Sequence, residues 1–262
     1  MEFKVGRSRV FAATGGKAFD PDRPAVIFVH GAGNDHTVWH GPSRYFAYHG
    51  RSVLALDLPG HGRSGGKALP TIEGMARWLV RAIDAIGIER VAIAGHSMGA
   101  LIALATAAAL GERVTSLALL GVAKSIPVHP ELLEAAQRND HLAVDLITSW
   151  GFSRHSHIGG CRSPGLWMSG GGMRLLERIP DGVLGNDLSA CKAYAGGEDC
   201  ARRVACPTLL ILGLHDLMTP PAGGAELAAE MSNARCVMLA DCGHMMLVEK
   251  PDETLDALCE IF

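Results

Sequence analysis

Six short runs of the chain are almost continuously apolar, at residues 25–29, 52–56, 91–94, 116–120, 208–212 and 235–239. Continuous rather than alternating apolar character is what a strand buried on both faces needs, as in a parallel sheet covered by helices. Between these runs, residues 72–86, 100–110, 224–231 and 252–261 carry apolar positions at helical spacing, the last opening behind Pro251 as a first-turn proline. Strand and helix in alternation predict an α/β fold with a doubly wound, mostly parallel sheet. The segment before residue 20 is expected to add an antiparallel hairpin at the sheet edge.

The alternation breaks between residues 125 and 203. Short helical patches are expected at 130–138 and 142–150, and glycine-rich turns at Gly159-Gly160 and Gly170-Gly171-Gly172. The chain therefore divides into a core of residues 1–124 and 204–262 and a helical cap or lid inserted at 125–203. A long insertion in a compact domain commonly serves binding, the alternative being one more structural helical layer. Trp150, Phe152, Trp167, Met168 and Met173 offer bulky or adaptable apolar side chains for a hydrophobic substrate pocket. Packing within the cap would use the same residues.

Composition narrows the range of partners. Of the 262 residues, 48% are hydrophobic and 19% charged, which suits a well-packed globular protein. A net charge of −3 and the lack of any long Lys/Arg cluster argue against nucleic acid as a partner. No stretch approaches the ~20 apolar residues of a membrane helix and the amino terminus has no apolar leader, so a cytoplasmic protein without a membrane partner is expected. The seven cysteines show no C-x-x-C spacing. His155, His157 and Cys161 lack a further ligand at metal-site spacing, and no metal is expected. With no G-x-G-x-x-G at a strand-to-helix turn, no cofactor is expected either.

Two segments match G-x-S-x-G, a pattern that chance alone supplies roughly 0.2 times in a chain of this composition. Context separates them. Gly62-Arg63-Ser64-Gly65-Gly66 adjoins neither strand nor helix, whereas Gly95-His96-Ser97-Met98-Gly99 lies between the 91–94 strand and a strong helix-forming run. Ser97 would stand where strand becomes helix, with free N–H groups and the positive end of the helix dipole beside its oxygen. Helix capping is the bland reading of the same serine. His30-Gly31-Ala32-Gly33 leaves the 25–29 strand at the same sheet edge, so the amides of Ala32 and Met98 are candidates for an oxyanion hole. A serine nucleophile needs a base. His36, His40, His61, His96, His215 and His244 all fall on loops of that edge, and Asp216 and Asp241 are the candidate orienting acids.

The ordered set His30-Gly31-Ala32-Gly33, Asp57-Leu58-Pro59-Gly60-His61-Gly62-Arg63-Ser64, Gly95-His96-Ser97-Met98-Gly99, Gly213-Leu214-His215-Asp216 and Gly243-His244 resembles the α/β-hydrolase superfamily over nearly the whole chain outside the cap. Its D-L-P-G-H-G-R-S loop is similar to those of esterases, C–C hydrolases and cofactor-free haloperoxidases. The resemblance implies the chain order Ser, Asp, His, which selects Ser97 as nucleophile, Asp216 as orienting acid and His244 as base. With serine at position 97, the aspartate nucleophile of similar dehalogenases and epoxide hydrolases is not implied.

The expected activity is hydrolysis of carboxylic esters of small to medium hydrophobic molecules through an acyl-enzyme. A C–C hydrolase or lyase could use the same triad with polar cap groups such as Arg154, Asn186 or Lys192, and an acyltransferase would replace water by another acceptor. From a different class, a slow-turnover receptor could use the cap as a switch. The sequence leaves these alternatives, and the oligomeric state, open.

Overall fold

The computed structural model describes residues 1–161 and 165–262. Eight strands, β1 (Glu2–Val5), β2 (Ser8–Ala13), β3 (Ala25–Val29), β4 (Ser52–Leu56), β5 (Val91–His96), β6 (Val114–Leu120), β7 (Thr208–Gly213) and β8 (Ala234–Leu239), form one sheet in the order β1-β2-β4-β3-β5-β6-β7-β8. β1 and β2 form the expected edge hairpin, antiparallel to each other and to β4, and every other pairing is parallel.

The apolar runs are continuous because each face of the sheet has its own core. In β3, Ile27 and Val29 pack under the helices Ile72–Ile86 and Met98–Leu110, while Val26 and Phe28 pack on the opposite face with Trp39 and Phe46. Successive strand residues point to opposite faces, so both sets must be apolar. β8 departs from that expectation: it is the outer strand, and only its Leu239 is buried. Helix ends follow local chemistry. Thr71 caps Ile72–Ile86 by accepting from the Gly74 amide, and Gly87 ends it with a left-handed φ of 79°.

The 125–203 segment holds the helices Pro130–Gln137, Leu142–Gly151, Arg154–His157, Met168–Leu176, Val183–Ala193 and Gly197–Arg203. The last of these packs on Met98–Leu110, beside the sheet. The Gly170-Gly171-Gly172 run is not a turn but lies inside Met168–Leu176. Packing outweighs glycine's poor helix propensity here: a Cβ on Gly170 would strike the Trp167 ring, and one on Gly172 would crowd the Phe152 ring. Among the described residues, no helix is long and apolar enough to cross a membrane.

Candidate active site

β5 runs at the middle of the sheet and delivers Ser97 to its carboxyl edge, immediately before the Met98–Leu110 helix. Ser97 has φ 56° and ψ −121°, a strained conformation for a residue with a Cβ. The turn is held by the Ser97 amide donating to the Leu120 carbonyl at 2.8 Å. Its flanking glycines are sterically required. A Cβ on Gly95 would strike the Gly99 carbonyl, and one on Gly99 would strike the carbonyls of Val29 and His30. Close packing of three backbone segments thus sets the serine beside the loop leaving β3.

β7 and β8 supply the partners. His244 Nδ1 lies 2.7 Å from Asp216 Oδ2, with both side chains buried. The other Asp216 oxygen accepts from the Met218 and Thr219 amides at 2.8 Å each, and the Thr219 hydroxyl donates to Oδ2 at 2.7 Å. Burial alone would raise the Asp216 pKa, but His244 and the Thr219 bonds outweigh it and hold the carboxyl below its usual range. With the carboxylate accepting at Nδ1, the Nε2 atom of His244 is left to face other groups. The loop carrying His244 is fixed by Glu249, whose carboxylate accepts from the Gly243 amide at 3.0 Å, the Ser153 amide at 2.8 Å and the Ser156 hydroxyl at 2.7 Å. The rival acid Asp241 is exposed.

Ser97 and His244 line one cavity of about 80 Å³, closed by Val128, Leu132, Ile147, Trp150, Leu188, Met218 and Met245. Among the described residues Ser97 Oγ makes no hydrogen bond, an arrangement often seen in unliganded sites whose catalytic bonds tighten with substrate. The Ala32 and Met98 amides, the candidate oxyanion donors, have no acceptor within the described protein. Beneath them His96 is buried, its Nε2 at 2.9 Å from the His244 carbonyl and its Nδ1 without a partner among the described residues. Burial, reinforced by the neighbouring His244, pushes its pKa down to about 3.

A second cavity of about 410 Å³ shares Asn34, Ile147 and Met245 with the first. Of the pocket residues expected from sequence, Trp150 lines the inner cavity, while Phe152, Trp167 and Met168 line the outer one. Trp167 is 62% exposed at its rim. Met173 lines neither cavity and packs against the hydrophobic core. Arg154 and Lys192 are exposed, and Asn186 donates to the Leu69 carbonyl at 2.9 Å; none of the three lines either cavity.

The second G-x-S-x-G serine is structural. Its Ser64 hydroxyl donates to the Asp57 carbonyl at 2.7 Å and accepts from the Phe11 amide at 2.9 Å. Asp35, His36 and Asp57 bring one ligand-type atom each within 4.8 Å of one another. Asp57, however, is engaged by the amides of His36 and Arg63 and by His36 Nδ1, each at 2.8 Å, and these bonds close the loop.

The profile of the alpha/beta hydrolase family matches residues 26–257. The chain belongs to that family. It is 25% identical over 244 residues to (E)-2-((N-methylformamido)methylene)succinate hydrolase of Acinetobacter baylyi, covering 89% of this chain and 88% of that protein. It is 27% identical over 246 residues to the pimeloyl-[acyl-carrier protein] methyl ester esterase of Aromatoleum aromaticum, covering 88% and 95%. The crystal structure of an enol-lactonase from Burkholderia xenovorans superposes with a TM-score of 0.88 at 24% identity, over 99% of this chain and 98% of that one. The protein is therefore a hydrolase with this family's fold.

Two buried polar groups around the candidate site carry no local signal in the sequence. Asp187, fully buried on the Val183–Ala193 helix, accepts through one oxygen from the Gly33 amide at 3.0 Å and from His61 Nε2 at 2.8 Å. His61 Nδ1 lies 3.1 Å from the Pro59 carbonyl, so both ring nitrogens face acceptors and the doubly protonated ring satisfies both. Burial opposes that charge, but the Asp187 bond and charge prevail and raise the His61 pKa. The adjacent His30 is the opposite case. Its Nε2 accepts from the Leu58 amide at 3.1 Å, and burial with the nearby His61 charge lowers its pKa to about 4. The second such residue is Asn34, which borders both cavities. The Asp187 contacts span 126 and 154 positions of the chain, a separation that no local motif announces.

Proposed function

We propose that this hydrolase cleaves carboxylic esters of small to medium hydrophobic substrates through an acyl-enzyme on Ser97. The observation that carries the reading is the buried Asp216–His244 pair, whose ring borders the same apolar cavity as the strained Ser97 turn. In this reading His244 Nε2 takes the Ser97 proton as Oγ attacks the ester carbonyl carbon, and the Ala32 and Met98 amides receive the oxyanion. Asp216 fixes the ring tautomer and stabilises the imidazolium. The imidazolium then protonates the departing alcohol. Water, deprotonated by His244, attacks the acyl carbon, releases the acid and restores Ser97. The 125–203 segment acts as the cap over a small-molecule substrate, with Trp150 on the inner wall and Phe152, Trp167 and Met168 further out.

Arg154, Asn186 and Lys192, the polar groups considered for C–C cleavage, line neither cavity. The named activity of the Aromatoleum relative is also ester cleavage. The test is turnover of p-nitrophenyl esters from acetate to decanoate by the parent, Ser97→Ala and Ser64→Ala. The parent and Ser64→Ala should turn over at least one ester, while Ser97→Ala loses a factor on the order of 10⁴ or more in kcat. No turnover by the parent, or an active Ser97→Ala, would end the reading.

A further inference from the structure

The cavity containing Ser97 measures about 80 Å³, too little for a medium-length chain, and its wall at Asn34, Ile147 and Met245 is shared with the chamber of about 410 Å³. A chain longer than the inner cavity would cross that shared wall. The lining of the outer chamber is mostly hydrocarbon and aromatic; Arg174, paired with Glu177, and Arg178 are its charged members, and its uncharged polar side chains are largely engaged. The Thr148 hydroxyl donates to the Val144 carbonyl at 2.7 Å, and the Thr37 hydroxyl is bonded to Asp35. Asn34 differs. It is only 8% exposed, its side-chain amide has no hydrogen-bond partner among the described residues, and it borders both spaces.

Its backbone is well fixed. The Asn34 amide donates to the Gly31 carbonyl at 3.2 Å, and the preceding residue is held by Asp187. Asn34 is therefore a rigidly mounted donor and acceptor two positions beyond Ala32, at the point where a substrate chain would leave the reacting centre. Nearly all buried amides in folded proteins find partners, so one that is unsatisfied by protein and borders a cavity is suited to an entering group.

We propose that Asn34 is a specificity-determining residue that hydrogen-bonds an oxygen carried on the substrate chain near the scissile ester. The preferred substrates are then oxygenated medium-chain esters: a hydroxyl or keto oxygen at Asn34 and an apolar tail in the chamber walled by Phe152, Trp167 and Met168. This rests on the ester-hydrolase reading of Ser97. A purely hydrocarbon chain would cover the amide and leave it unbonded, which disfavours it relative to the oxygenated chain.

The experiment compares matched substrates within each variant. On the acyl side, p-nitrophenyl octanoate is set against its 3-hydroxy and 3-oxo derivatives; on the alcohol side, octyl acetate against the acetate of 1,3-octanediol at its primary hydroxyl. The quantity read is the ratio of kcat/KM, oxygenated over plain. In the parent it should be about tenfold or more for one side, and in Asn34→Leu it should fall to about one. Asn34→Asp, nearly isosteric and able only to accept when ionised, should lose the keto preference, which needs the amide donor. It serves as the second variant should Asn34→Leu fail to fold. A parent ratio near one on both sides, or the parent's ratio persisting in either variant for the keto ester, overturns the assignment while plain octanoate turnover leaves the ester-hydrolase reading standing. If no ester of the set is turned over, both readings fall together.

Discussion

At the scale of single residues, the site depends on a few atoms whose neighbours leave little latitude. Asp216 is the clearest case, because its two oxygens accept two backbone amides, a threonine hydroxyl and the His244 ring. Replacing it with Asn preserves volume, but the new amide nitrogen can face the ring and reverse the tautomer. Asp216→Asn should lower kcat by roughly 10³ to 10⁴ with KM nearly unchanged, while the folded protein keeps its far-UV spectrum. A loss of less than tenfold in steady-state kinetics on the best p-nitrophenyl ester would remove Asp216 from its orienting role. The residues this prediction concerns were legible because their signals are local: a strand end, a turn and a fixed chain order. Thr219 was not singled out, since a threonine three positions after an acid carries no mark until the loop has folded around it.

At the scale of elements, one buried carboxylate joins the Val183–Ala193 helix to two core loops. Asp187 reaches the loop after β3 through Gly33 and the loop after β4 through His61. The same helix contributes Leu188 and Cys191 to the cavity wall at Ser97. Removing one partner of such a pair leaves a buried group uncompensated, which costs about 3–5 kcal/mol. Asp187→Ala should therefore lower the free energy of urea unfolding by about that amount. A change below about 1 kcal/mol would mean the pair is not holding the helix. Sequence pattern anticipated the strands and most helices of the core, since burial on both faces leaves an unambiguous apolar run in the central strands. The 125–203 segment was harder to read. Its glycine run is helical because two aromatic rings need the space, a tertiary fact that overrides the local signal.

The linkage at this same junction has a defined sign. The His61 pKa is raised on folding above 6.5, so the stability it contributes is fully present below pH 6.5 and is lost as pH rises through the folded value. His61→Gln keeps a side chain able to bond but does not titrate. Denaturant titrations at closely spaced pH values above 6.5 should show a decline in the parent that is reduced in this variant. An identical decline in both would place the titration elsewhere.

For the molecule as a whole, the histidines that the sheet edge buries uncharged should lower stability toward acid. His30 and His96 are buried, and burial holds their pKa values down at about 4 and about 3. Between those values and 6.5 the unfolded chain binds more protons than the folded one, so unfolding becomes easier as pH falls. His61 works in the opposite sense over part of the range, because its folded state already holds the proton near neutrality. Among the three buried rings, two held neutral against one held charged sum to a loss on acidification. From pH 7 to pH 5 each neutral ring should remove about 2 kcal/mol of stability. His30→Asn, whose side-chain oxygen can still accept from the Leu58 amide, should reduce the pH 7 to pH 5 difference in urea unfolding free energy by about that amount. If the difference is unchanged in a variant of native secondary structure, His30 is not held neutral and the account of its burial is wrong. The packing that draws Gly31, Gly95 and Gly99 together around Ser97 accompanies the burial of both rings, so the site's geometry and the expected acid sensitivity share one physical origin.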